Sequence, residues 1–122
     1  MQIGDVADRT GLSLRTVRHY EEVGLLPEAQ RSTGGFRLYT DEAVERLLVI
    51  KQMKPLEFTL EQMRELLDAL DELAAEPSKE RRREIVLLLG GYQRLVAERT
   101  AKLRERILGA KALQDTLDEL LL

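Results

Sequence analysis

Residues 12–39 read LSLRTVRHYEEVGLLPEAQRSTGGFRLY, and the rest of the chain is organised around this stretch. Its first half predicts a short helix, which Ser13 can cap at the start and which Gly24 can end in a left-handed conformation. Apolar residues recur on one side of this helix, where we expect burial: Leu14, Val17 and Tyr20. The other side is polar and carries Arg15, Arg18, His19 and Glu22. Because so short a helix must pack on its neighbours through the apolar side, the polar side is left free.

The free side offers arginines, a histidine and the hydroxyl of Thr16, which can hydrogen-bond to phosphates or to the edges of bases. For the helix alone, an ordinary solvated surface is an equally good interpretation. The second half of the stretch favours nucleic acid, because Gly34 and Gly35 predict a hairpin with a tight turn. Arg31 and Arg37 flank these glycines. A basic helix followed by a basic hairpin predicts a winged helix-turn-helix, with a plain surface turn as the alternative for the hairpin.

The residues before this stretch predict the first helix of the pair. Ile3, Val6 and Ala7 recur at helical spacing, and Thr10-Gly11 closes the segment. Two short helices joined by a glycine-containing turn have the spacing of a helix-turn-helix, in which the second helix reads the DNA.

Two further helices are expected after the hairpin. Thr40 begins the first with acidic residues in its opening turn, and Pro55 ends it because the residue before a proline disfavours helical geometry. Thr59 and Gln62 form a capping box for the second, which continues to about Ala75.

Residues 79–120 predict one long helix, roughly 60 Å long at 1.5 Å per residue, which Ser78 can cap at its start. Its apolar residues follow spacings of mostly three and four: Ile85, Leu89, Tyr92, Val96, Leu103, Ile107, Ala110, Leu113, Leu117 and Leu120. The pattern favours a homodimeric coiled coil over a helix that folds back on its own chain. Gly90-Gly91 is unusual inside a helix and marks a bend or a close approach of backbones. We therefore expect a mostly α-helical chain, with a DNA-binding domain over residues 1–76 and a dimerisation helix over 77–122.

The composition limits what the chain can do. The 122 residues carry 19 Lys+Arg and 22 Asp+Glu, a net charge of −3, so DNA affinity has to come from a few well-placed arginines. The absence of cysteine excludes disulfides and thiolate-bound metals, and we expect no cofactor. One histidine, with no phosphate-binding glycine loop, argues against an enzyme. No signal peptide or membrane-spanning run is visible, which favours the cytoplasm.

The chain resembles the MerR family of bacterial transcriptional regulators over essentially its full length. Three stretches carry the resemblance: IGDVADRTGLSLRTVRHYEEVGLL at residues 3–26, RSTGGFRLYTDEAVERL at 31–47 and FTLEQMRELL at 58–67. They match the family's helix-turn-helix, its first wing with the following helix, and its second-wing region. The long C-terminal helix matches the family's antiparallel dimerisation coiled coil.

The resemblance implies DNA contacts by eight residues: Arg15, Thr16, Arg18, His19, Tyr20, Arg31, Arg37 and Tyr39. Arg15 would read bases, while Thr16 and Arg18 would face the major groove and its phosphates. Tyr20 and the residues of the hairpin would contact the DNA backbone. Tyr20 and Tyr39 could instead be purely core residues, and Arg37 could merely bridge the wing to the helix.

The sequence also departs from the family pattern. Many members carry Tyr or Phe at the position of His19 and Tyr at that of Phe36, and Glu57 stands where a glycine is usual. The resemblance implies a homodimer that binds a pseudo-palindromic promoter operator, distorts it and acts with RNA polymerase; whether it activates or represses is left open. Without cysteine, and ending with the coiled coil, the chain resembles a short member that has no separate effector domain. An architectural or protein-binding coiled coil is the alternative function.

Overall fold

The computed structural model describes residues 1–27 and 29–122. The predicted winged helix-turn-helix with a small β wing and a long C-terminal helix is confirmed. In chain order the elements are α1 (Ile3–Thr10), α2 (Leu14–Glu22), β1 (Gln30–Arg31), β2 (Arg37–Leu38), α3 (Asp41–Met53), a 3-10 turn (Lys54–Leu56), α4 (Leu60–Ala74) and α5 (Lys79–Leu120). The chain divides into two compact units, Met1–Asp71 and Glu72–Leu122, so the boundary lies within α4. The functional division at residues 76 and 77 stays a prediction.

The turn between α1 and α2 depends on a glycine and a lysine. Gly11 has φ +70°, and its N–H donates to the carbonyl of Ala7. The Lys51 ammonium on α3 donates to the carbonyl of Thr10 over 2.8 Å, where a cation also suits the negative end of the helix dipole. A Cβ on Gly11 would lie 2.9 Å from Lys51 Nζ and would push this flexible ammonium aside, so the backbone angle is the main reason for glycine here.

Both ends of α2 form as the sequence predicts. The Ser13 hydroxyl accepts from the N–H of Thr16 and caps the first turn. At the other end Gly24 has φ +81°. Its N–H donates to the backbone carbonyl of Glu21, and the N–H of Leu25 donates to the backbone carbonyl of Tyr20. This pair of bonds is a Schellman motif, which ends the helix and turns the chain inward.

The core of the first unit is apolar and comes from every helix in it. Its most buried side chains are Val6, Val17, Tyr20, Leu25, Leu47, Ile50 and Leu67. The expectation that Leu14 is buried is wrong, because the side chain is 44% exposed. Leu14 is the first residue of α2 and lies in the capped turn, at the edge of the apolar side.

The wing is a short antiparallel hairpin in which Gln30 pairs with Leu38 and Arg31 with Arg37. Its turn is closed by the N–H of Ser32 on the carbonyl of Phe36 and by the N–H of Gly35 on the carbonyl of Ser32. Gly35 has φ +81°, the conformation for which glycine is suited. The predicted hairpin is therefore confirmed.

The connection from α3 to α4 contains a strained residue. Thr40 caps α3, which ends at Met53 ahead of the turn that contains Pro55. Glu57 then adopts φ +58° and ψ +38°, although it has a Cβ. Thr59 and Gln62 form the predicted capping box, with reciprocal bonds of 3.0 and 3.1 Å.

The second unit consists of the end of α4, a short connection and α5. Ser78 caps α5 by accepting from the N–H of Arg81, as the sequence predicts. Arg81 also forms ion pairs with Glu72 and Glu84, at 2.6 and 2.8 Å. α5 runs without interruption for 42 residues, including Gly90-Gly91. In the described residues, no helix is both long and apolar enough to cross a membrane.

α5 changes character along its length. Ile85 and Tyr92 are buried, whereas every residue from position 104 onward is exposed. The exposed part still carries large apolar side chains: Ile107, Leu108, Leu113, Leu117 and Leu120. The apolar stripe seen in the sequence is therefore left uncovered in the single chain along this part of the helix.

Candidate nucleic-acid interface

The outer face of α2 carries the exposed cationic side chains predicted from the sequence. Arg15, Arg18 and His19 are all exposed, and together with Leu14 and Glu22 they line one groove. Among the described residues, ion pairs engage Arg9, Arg37, Arg46 and Arg81 but neither Arg15 nor Arg18. The two arginines of α2 thus keep their donors for a partner outside the chain.

Thr16 lies beside these arginines but is only half-exposed. Its hydroxyl is 2.8 Å from the Ser13 hydroxyl, and its N–H donates to the same atom. Thr16 is therefore part of the N-terminal cap that fixes the first turn of α2, and its hydroxyl still has acceptor capacity.

The C-terminal end of α2 is held by two arginines from later helices. Arg46 of α3 donates to the carbonyl of Leu25, and Arg64 of α4 donates to the carbonyl of Val23. Arg46 is also paired with Asp71 at 2.6 Å, which fixes its direction. Carbonyls at a helix end are acceptors without partners inside the helix, so these cations both satisfy them and attach α2 to the core.

Glu21 connects α2 to the wing. One carboxylate oxygen accepts from the Tyr39 hydroxyl over 2.6 Å and lies 3.5 Å from a terminal nitrogen of Arg37. The other accepts a long bond of 3.4 Å from the N–H of Ala29. Burial, followed by the hydrogen bond to Glu21, raises the pKa of the Tyr39 hydroxyl above its ordinary value. The bridge from the wing to α2 that the sequence left open for Arg37 is present in the structure.

A second groove runs between α2 and the wing, with a volume of about 420 Å³. It brings Arg18 of α2 together with Arg31 and Arg37 of the wing. The remaining lining residues are Gln2, Ile3, Glu22, Gly35 and Phe36. Arg31 also donates to the carbonyl of Gly35 over 3.2 Å, which holds its guanidinium near the turn. The structure thus gathers into adjoining grooves the cationic residues that the sequence placed on two separate elements.

The two tyrosines occupy the core rather than the exposed face. Tyr20 and Tyr39 are 2% and 4% exposed. Within the described chain the Tyr20 hydroxyl is buried without a hydrogen-bond partner, and the ammonium of Lys54 lies 5.9 Å from the centre of its ring. The predicted contacts of these hydroxyls with DNA phosphates stay predictions.

Several residues of the interface were not identified from the sequence. Glu21 follows Tyr20 in the motif, yet nothing local indicates that it meets residues of the wing. Phe36 stood out in the sequence as a departure from the family pattern, whereas in the structure it is 60% exposed and lines the groove. Gln2 and Ile3 reach the same groove because the backbone of Met1 exchanges two hydrogen bonds with Tyr39.

Two family models match the chain. The model described as MerR HTH family regulatory protein covers residues 1–70, and the model described as MerR, DNA binding covers residues 44–120. Together they include α2, the wing, the capping box at Thr59 and all of α5.

Relatives and solved structures agree with these matches. The mercuric resistance operon regulatory protein of Bacillus cereus is 43% identical over 70 residues, which are 57% of this chain and 53% of that protein. The crystal structure of the transcription regulator PbrR691 from Ralstonia metallidurans CH34, solved with lead(II), is 33% identical with a TM-score of 0.60, over 98% of this chain and 84% of that one. HiNmlR, described as a MerR family regulator lacking the sensor domain and bound to promoter DNA, has a TM-score of 0.67 at 21% identity, over 88% and 77% of the two chains, and shows the shared fold.

The chain spans about half, or less, of the length of the curated relatives that it matches. The mercuric resistance operon regulatory protein, the transcriptional activator TipA and PbrR691 are all described as regulators and not as enzymes, in agreement with the prediction that the chain is not an enzyme. They give no support to the alternative of an architectural coiled coil.

Proposed function

The chain belongs to the MerR family of helix-turn-helix regulators, and from this premise we propose that it is a sequence-specific DNA-binding regulator of transcription. α2 is the recognition helix and enters the major groove, with Arg15 reading bases and Thr16, Arg18 and His19 contacting bases or phosphates. The hairpin lies along the adjacent backbone and contacts phosphates through Arg31 and Arg37.

The observation that carries this proposal is the exposed pair Arg15 and Arg18, which has no ion-pair partner in the described chain. Arginines elsewhere in the first unit are engaged: Arg9 pairs with Asp41, and Arg46 pairs with Asp71. Two unengaged guanidinium groups on one face of a firmly held helix are suited to bidentate contacts with guanine or phosphate.

Tyr20 and Tyr39 support this interface from the core. Both hydroxyls are covered in the protein, and that of Tyr39 is committed to Glu21. We therefore place them behind the arginines, where they hold α2 and the wing in position, with phosphate contact open to the Tyr20 hydroxyl if DNA displaces its cover. HiNmlR, which shares this fold, was solved on promoter DNA, so the fold is compatible with such a complex.

A homodimer formed through α5 completes the proposal. The exposed leucines beyond residue 104 form an apolar face that a second copy of α5 can bury. Two DNA-binding units in a dimer double the few arginine contacts, which matters in a chain with a net charge of −3. Two-fold symmetry of the protein then requires a pseudo-palindromic operator.

The setting that follows is a bacterial promoter in the cytoplasm, with RNA polymerase as the partner whose activity is changed. Two DNA-binding units held at a fixed separation by the paired α5 helices can bend the DNA between them. The extra contacts made by the wings offset the free-energy cost of bending. Bending is measured by circular-permutation gels. If the operator is straight in the complex, regulation by bending is excluded, and occlusion of RNA polymerase is the mechanism that remains.

The test of DNA binding is Arg18→Ala, measured against a duplex that the unmodified protein has enriched from a randomised library. Losing one phosphate contact should weaken binding and lower the slope of log affinity against log salt by about 1. Arg9→Ala is the matched control, since it removes the same charge from an arginine outside both grooves that is already paired with Asp41. Equal salt slopes for the parent and Arg18→Ala would exclude α2 as the recognition helix.

A further inference from the structure

We propose that Glu21 is a positioning residue that fixes the wing against the recognition helix and thereby determines where Arg37 meets the DNA backbone. The inference rests on the proposed function of α2 and the wing. It assigns to an acidic residue, which would ordinarily repel DNA, a positive contribution to DNA binding.

Glu21 has three partners, which lie on both sides of the hairpin: Ala29 just before β1, Arg37 in β2 and Tyr39 just after it. Its carboxylate accepts from the Tyr39 hydroxyl at 2.6 Å, pairs with Arg37 at 3.5 Å and accepts from the N–H of Ala29 at 3.4 Å. The side chain is only 9% exposed. A carboxylate this well covered is costly unless it is paired and hydrogen-bonded. Losing the contact with Arg37 or Tyr39 would therefore be unfavourable, and this holds both residues against Glu21.

The register of the hairpin gives a second reason for an anion at this place. Arg31 and Arg37 are directly opposite each other in the wing. Like charges opposite each other destabilise a two-stranded pair, and so short a hairpin has little else to offset the repulsion. Glu21 neutralises Arg37 from the α2 side, while Arg31 is drawn to the carbonyl of Gly35 at the turn.

Pairing with Glu21 does not remove Arg37 from the interface. The Arg37 side chain remains 39% exposed and lines the same groove as Arg18. A guanidinium group has five N–H donors, so Arg37 can keep its contact with Glu21 and donate to a phosphate at the same time. Glu21 therefore orients Arg37 in advance, and the cost of ordering this long side chain is met before DNA binds.

The first test uses the protein without DNA. Glu21→Gln keeps the size of the side chain and an acceptor for Tyr39 but removes the ion pair with Arg37. Amide hydrogen exchange at Ser32 and Gly35, whose N–H groups close the turn of the wing, should be faster by about threefold or more, because the hairpin opens locally more often. Tyr39→Phe, which removes only the hydroxyl bonded to Glu21, should accelerate the same amides. Unchanged exchange in both variants would overturn the positioning role.

The matched control is Glu22→Gln, which removes the same charge one residue away. Glu22 takes part in no ion pair among the described residues. If the acidic residues of α2 act only by repulsion, neutralising either should tighten binding to the enriched duplex. Positioning predicts opposite signs: Glu22→Gln tightens binding, whereas Glu21→Gln weakens it about tenfold, near the lower end for one hydrogen bond to a charged group.

A double-mutant cycle connects the effect to Arg37. Arg37→Ala should weaken DNA binding about as much as Glu21→Gln. The double variant should bind DNA as tightly as each single variant, because both substitutions remove the same contact of Arg37 with the DNA backbone. Additive losses, or tighter binding by Glu21→Gln, would overturn the proposal. If the parent enriches no duplex at all, the proposed function fails, and the exchange experiment still decides whether Glu21 holds the wing.

Discussion

Replacing Glu57 by glycine should stabilise the protein. Glu57 has φ +58° and ψ +38°, a left-handed conformation that costs a residue with a Cβ about 1–2 kcal/mol. Glycine removes this cost but loses about 0.4–1 kcal/mol through the greater freedom of its unfolded chain. The free energy of unfolding should therefore rise by about 0.5–1 kcal/mol for Glu57→Gly, which corresponds to about 2–4 °C in Tm for a chain of this size.

The comparison with Glu57→Ala isolates the cause. Alanine keeps the Cβ and hence the strain, so it should gain nothing, while both variants lose the same carboxylate. Urea unfolding followed by circular dichroism measures both variants against the parent, with an equal m value as the condition for comparing them. Equal stability of the alanine and glycine variants, or a loss of stability with glycine, would refute the assignment of strain to this residue.

Three further predictions concern the turns, the wing and α5. Gly24→Ala should lower the free energy of unfolding by about 1 kcal/mol, because the Schellman motif requires φ > 0 at this position. Gly4→Ala should instead raise it by about 0.5 kcal/mol, because Gly4 is helical and has open space around it. Urea unfolding measures both variants. Burial and Glu21 raise the pKa of Tyr39 above 10.0. The stabilising contribution of the neutral Tyr39 hydroxyl is therefore present below pH 10 and is lost as the pH rises through the folded-state pKa. The parent should consequently lose more stability than Tyr39→Phe between about pH 9 and pH 11. Glutamates in place of Leu113 and Leu117, both exposed in the single chain, should yield monomers in sedimentation with unchanged helix content, and a persistent dimer would exclude this face as the interface.

The local parts of the fold could be predicted from the sequence. Helix caps at Ser13, Thr40, Thr59 and Ser78 all form, because each depends on a side chain and a backbone N–H within three residues of each other. The hairpin around Gly35 and the long helix after Ser78 follow from equally local patterns. These signals were sufficient to place α2 and the wing.

The contacts that hold the site together could not be predicted in the same way. Lys51 and Arg64 reach carbonyls 41 residues away, and Arg46 reaches one 21 residues away. On the sequence they are ordinary surface cations, since only the packing of α3 and α4 brings them to the ends of α1 and α2. Glu21 is similar: its partner Tyr39 is 18 residues distant, and no helical or strand period connects the two.

The position of Leu14 shows a different limit. Periodicity assigned it to the buried side, but the helix begins at this residue and its side chain lies at the edge of the covered area. A pattern fixes which side of a helix is apolar, and the neighbouring elements decide how far along the helix that side is covered.

The most direct test of sequence-specific DNA binding is selection of duplexes from a randomised library by the unmodified protein, followed by sequencing. A homodimer with α2 in the major groove should enrich one motif made of two inverted half-sites, and Arg15→Ala should relax the preference at a defined base in each half-site by about 1–3 kcal/mol. Enrichment of no motif, at a salt concentration where the protein remains a dimer, would contradict the account.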